Sequence, residues 1–221
     1  MQAFEIIHFS IGGLKLQEPI ALLTNWLIAS FCFYVFFKTK WSSSYSSNAF
    51  KYFYFVLGIS TFFGGLGHLF FHYFGIYGKY PCWITGIIAG LFIGKGILHY
   101  WKERPMYVFW NSFLWTKSVL MLILSVTTQK FVFVAIDAIL TYILYTGFLS
   151  WKLWKSDKTE MKYFVYGMAI LLPSAFIFLL NINLHRFLNR DDLSHLLMLS
   201  CIIFFYLGVK KINKRYLQKT L

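Results

Sequence analysis

An all-α integral membrane protein of seven transmembrane helices is what this sequence predicts, and three observations predict it. Seven apolar runs of membrane-crossing length follow one another with short connections; 58% of the 221 residues are hydrophobic and 22% aromatic; and basic residues collect in alternate connections. The runs fall at about 19–37, 50–74, 82–101, 106–126, 131–151, 162–181 and 192–209. Each is near the roughly 20 residues that cross about 30 Å of hydrocarbon at 1.5 Å per residue.

The breakers support these cuts in order. Ser42–Asn48 is a polar, serine-rich linker between spans one and two, and Gly75-Ile76-Tyr77-Gly78 with Pro81 marks a turn before span three. Pro105 suits the first turn of span four, Ser156–Glu160 separates spans five and six, and Pro173 should kink span six. Ahead of the spans, residues 1–17 carry Phe4, Ile7, Ile11 and Leu14 at helical spacing, as expected of a short segment lying along the interface. The transmembrane domain is read as 18–211 and a basic cytoplasmic tail as 212–221. The first seventeen residues lack the uninterrupted apolar core of a signal peptide, because Glu5, His8, Lys15 and Gln17 break it up.

A formal charge of +13 would suit a nucleic-acid binder, but its distribution argues otherwise. Lys38, Lys40, Lys51, Lys102, Arg104, Lys152, Lys155, Lys158, Lys162, Lys210, Lys211, Lys214, Arg215 and Lys219 follow the odd-numbered spans. Only Lys15, Lys79, Lys130, Arg186 and Arg190 fall on the other side. By the positive-inside rule the N-terminus is expected outside and the C-terminus in the cytoplasm, most simply in a bacterial inner membrane. Cys32, Cys82 and Cys201 belong to different runs with no CxxC spacing, so free thiols are expected rather than a disulfide framework.

Ionisable residues inside the runs are costly, and so they mark candidate sites. Glu18, His68, Asp137 and Asp191–His195 all come in the outer third, His68 and Asp137 at a depth of roughly 9 Å. His68 and His72 are four apart on one helix face, as are Asp191 and His195; imidazole and carboxylate together make a plausible zinc ligand set with room for water. Structural readings compete: His72 at the interface, Asp191 or Asp192 capping span seven, and an ion pair between Lys117 and Asp137 across the short connection of spans four and five. Lys95 has no nearby acid and is expected to snorkel inward. The run Gly64-Gly65-Leu66-Gly67 should let a neighbouring helix approach closely just before His68.

Three stretches carry a family resemblance: Glu18-Pro19 with Thr24-Asn25, Gly64-Gly65-Leu66-Gly67-His68, and Asn189-Arg190-Asp191-Asp192-Leu193-Ser194-His195. With them the chain resembles the seven-helix superfamily of alkaline ceramidases and adiponectin/progestin receptors, above all its small bacterial members. The resemblance implies a zinc ion held by histidines of spans two and seven that activates water against a lipid amide. Carried across, it gives His68 and His195 as ligands. The second span-seven histidine is replaced by Asp191, the serine four before the span-two histidine by Gly64, and span three has no aspartate. The expected function is a zinc-dependent hydrolase of lipid-like amides or esters, with His68, His195 and Asp191 as metal ligands, His72 as a further candidate ligand and Asp192 as the proton-transferring catalytic residue. The alternative is a non-enzymatic receptor or accessory subunit in which the cluster is structural. The expected partners are the bilayer and a lipid-like ligand.

Overall fold

The computed structural model describes residues 6–180, 182–185 and 188–219, with the side chains of Leu179 and of 216–219 left out. Phe4, Glu5 and Arg186, on which parts of the sequence reading rest, lie outside these residues. Seven helices form the bundle: α1 Pro19–Lys38, α2 Tyr45–Leu69, α3 Tyr80–Leu98, α4 Tyr107–Thr128, α5 Val132–Lys155, α6 Lys162–Leu179 and α7 Arg190–Lys219. Each of the seven apolar segments contains an 18-residue window of mean hydropathy 1.3 to 1.9, so all are long and apolar enough to cross a membrane.

Before α1 the segment expected along an interface at helical spacing is instead a β-hairpin. Strand β1, His8–Ile11, pairs antiparallel with β2, Leu14–Gln17. The reason is the Gly12-Gly13 pair, whose φ angles of 56° and 83° supply the two left-handed positions of a tight two-residue hairpin turn. Ile7, Ile11 and Leu14 fit a helical period only because that turn resets the count. The hairpin is tied down by the Lys15 amide, which donates to the Tyr73 hydroxyl at 2.9 Å, and by the Glu18 amide, which donates to Ile7 O at 2.9 Å. Glu18 then enters α1 with φ 51° and ψ 56°, a left-handed conformation that costs a residue with a Cβ roughly 1–2 kcal/mol.

The core occupies the half of the bundle away from the hairpin. Phe50, Phe164 and Phe205 are fully buried and stack in series, with centroids 4.9 and 5.3 Å apart. The glycine run of α2 does what its composition suggests. A Cβ on Gly67 would lie 2.7 Å from the carbonyl oxygen of Gly78, so only glycine lets that backbone pass.

Pro105 does not open α4 as expected; the helix begins two residues later, after Met106 in a left-handed conformation. Pro173 sits within α6, which runs unbroken through it. The cytoplasmic tail expected at 212–221 begins as the continuation of α7 through Lys219. Within α5, Thr141–Leu149 is wound as a π-helix, which no feature of the sequence reading anticipated. The three cysteines are free, as expected.

Candidate functional site

The end of the bundle that carries the hairpin brings α1, α2 and α7 together around two imidazoles. Glu18, Ala21 and Asn25 occupy one face of α1 at three- and four-residue steps, which turns both polar side chains toward α2 and α7. His68 Nδ1 lies 2.8 Å from Glu18 Oε2, with both side chains largely buried. A carboxylate can only accept, so the proton belongs on Nδ1 and the lone pair on Nε2. Burial pushes the Glu18 carboxyl up, but the His68 hydrogen bond and the charges of His68 and Lys79 outweigh it, and the group stays below its ordinary 4.5.

His195 approaches from α7, its ring edge-to-face with His68 at 6.5 Å between centroids. The Thr24 hydroxyl lies 3.0 Å from His195 Nδ1 and gives its proton to Ile20 O at 3.0 Å. The hydroxyl oxygen therefore accepts from Nδ1–H, and His195 too keeps its lone pair on Nε2. The Asn25 amide donates to Ala21 O at 2.8 Å and lies 3.4 Å from both ring nitrogens of His195. Gly64 makes room for it, since a Cβ there would sit 3.0 Å from Asn25 Oδ1 and 3.3 Å from Cys82 Sγ. The α1 carboxamide thus fills the space that a side chain at 64 would otherwise take.

The start of α7 is arranged differently from the capping expected of Asp191 or Asp192. Asn189 is the cap: its Oδ1 accepts from the amides of Asp191 and Asp192 at 2.8 and 3.0 Å. Asp192 Oδ2 returns the bond to the Asn189 amide at 3.2 Å, a reciprocal capping box. Asp191 pairs with Arg190, Nε to Oδ1 at 3.6 Å. Asp192 is 1% exposed, feels the charges of Glu18 and Asp191, and its Oδ1 is buried without a hydrogen-bond partner among the described residues.

The sequence-predicted site residues therefore divide. His68 and His195 are brought together, with Asp192 within electrostatic reach. His72 is exposed on the short helix Phe71–Phe74, past a break at Phe70, and its ring meets Tyr73. That break removes the continuous helix on which the four-residue spacing from His68 relied. Among the described residues no group of three or more histidine, cysteine, aspartate or glutamate side chains is placed to hold a metal ion. The donors fit zinc only as two imidazole nitrogens, short of the three protein ligands a catalytic zinc site uses, so no step below passes through a metal. The pairings of Glu18, Thr24 and Asn25 with the histidines went unassigned in the sequence. The seven-residue spacing of Glu18 and Asn25, which puts those two on one side, is the signal that could have found them; Thr24 gives no such signal.

The fold and this site define a class: a bundle of seven apolar, membrane-length helices with a buried histidine–carboxylate centre at one end. Within that class the chain belongs to the family of unknown function DUF6962, whose model matches residues 20–214. No curated protein and no solved structure matches it.

Proposed function

We propose that the protein is an integral membrane protein, with its N-terminus outside and its C-terminus cytoplasmic, whose outward-facing pocket hydrolyses lipid-like amides or esters. Membrane insertion is supported by large apolar side chains left facing outward along the spans, among them Leu23, Leu27, Leu120, Ile123 and Phe176. The lysines following the odd-numbered spans support the orientation and a bacterial inner membrane as its location.

One observation carries the hydrolase reading: the 2.8 Å contact between Glu18 and His68 Nδ1, with the His195 ring alongside. Glu18 holds His68 in one tautomer and stabilises the imidazolium formed when Nε2 takes a proton from water. That water attacks the carbonyl carbon, and the imidazolium then returns the proton to the departing nitrogen or oxygen. Lys79, whose charge is felt by both Glu18 and His195, supplies positive potential for the developing oxyanion.

Turnover of N-acyl and O-acyl lipid substrates by detergent-purified protein tests this, beside His68→Ala, Glu18→Gln and His195→Ala and with zinc measured by elemental analysis. Turnover lost in His68→Ala supports the proposal. A well-folded wild type that cleaves neither bond type ends it. The second reading, a receptor or accessory subunit, is favoured by the start of α7, where Asn189, Asp191 and Arg190 are engaged in capping and pairing.

A further inference from the structure

Three carboxylates stand together at the hairpin end of the bundle, and two are balanced by cations. Glu18 faces His68 at 2.8 Å and feels Lys79, while Asp191 faces Arg190 at 3.6 Å. Asp192 is the exception. Its Oδ2 is used by the capping box, and its Oδ1 is buried without a hydrogen-bond partner among the described residues. Asp192 and His195 are three apart on α7 and share a face, so the lone oxygen belongs to the same side of the helix as the imidazole beside His68.

A buried carboxylate oxygen left unpaired is costly, and the cost is removed by a group that brings both a positive charge and an N–H. We propose that Asp192 Oδ1 receives the primary ammonium of a lipid headgroup, placing the rest of that molecule against the Glu18–His68 pair. This rests on the reading that the pocket takes a lipid-like molecule, and it narrows that class to amine-headed lipids. A quaternary ammonium carries the same charge but no N–H, so it cannot make the bond.

The test uses the full chain in mild non-ionic detergent with short-chain phosphatidylethanolamine and its mono-, di- and trimethylated headgroup analogues. The expected result is affinity that falls at least about tenfold from the primary to the trimethylated headgroup, the scale of one charge-assisted hydrogen bond. In Asp192→Asn the series should flatten to the trimethylated level. Equal affinity across the series in wild type, or a series kept in Asp192→Asn, overturns the assignment. If Asp192→Asn does not fold, the wild-type series alone decides. Headgroup preference without acyl turnover would uphold the ammonium site and end the hydrolase reading. Turnover without preference would do the reverse.

Discussion

Two buried ionic centres in this bundle differ in how completely they are satisfied. Between α4 and α5, Lys117 Nζ donates to Asp137 Oδ1 at 2.6 Å, to Thr141 Oγ1 at 2.7 Å and to Ser118 Oγ at 3.1 Å. Ser118 adds its own hydrogen bond to Asp137 Oδ1 at 3.0 Å. With the Asp137 carbonyl oxygen a fourth acceptor at 3.4 Å, every one of the three ammonium hydrogens has a partner. At the hairpin end, by contrast, Oδ1 of Asp192 is buried with no hydrogen-bond partner among the described residues. A satisfied centre holds helices together, whereas a buried carboxylate oxygen left unpaired costs free energy.

The comparison breaks first at the saturated pair. Asp137→Ala should strand the lysine charge and cost about 3–5 kcal/mol of stability, whereas Lys117→Met with Asp137→Leu should recover most of it. Thermal unfolding in detergent reads this, and a double variant no more stable than the single one would show that the pair does more than join helices. Gly67→Ala comes next, at roughly 1–3 kcal/mol, because the 2.7 Å approach is to a backbone carbonyl that cannot turn aside. A neutral result there would mean that α2 and the Gly75–Lys79 turn are free to separate.

Asn189→Ala should cost about 1 kcal/mol through the lost cap and leave Asp192 Oδ2 facing an amide without its counterpart. Asn189→Asp should restore most of that stability, which distinguishes capping from a wider role for the side chain. The smallest expected effect is the acid response of Glu18. Its folded-state carboxyl lies below 4.5, so its contribution is present above that value and is lost as pH falls through the folded-state value. Wild type should therefore lose stability on acidification below about pH 4.5 by more than Glu18→Gln does. Parallel pH profiles for the two proteins would show that His68 gains nothing from the carboxylate.

The spans and the Lys117–Asp137 pair were legible because both follow from rules with one outcome: apolar length, and a charge that must find its opposite. Lys95 was legible only in part. It was expected to snorkel inward, and it donates to Asn111 Oδ1 and lies over the Trp115 ring, two contacts that expectation did not name. Depth, four-residue spacing and the family resemblance all point to His68 and His195, yet none of them fixes how the helices face one another, and so Glu18, Thr24 and Asn25 remained without roles. Asp191 was chosen as a ligand from its spacing to His195. In three dimensions the adjacent Arg190 claims it, a contact between neighbours that helix periodicity does not register. The hairpin escaped because two glycines can serve either a turn or a break, and the π-helix in α5 because its winding comes from packing.

Glu18 is the joint between the N-terminal hairpin and the buried imidazole. Its backbone amide is held by Ile7 beside the hairpin, its φ and ψ lie where few non-glycine residues rest, and its carboxylate is the one that grips His68. Any force that tilts the two strands is delivered, through a single α-carbon, to the side chain that sets which nitrogen of His68 carries the proton. The surface ribbon and the histidine are mechanically one device.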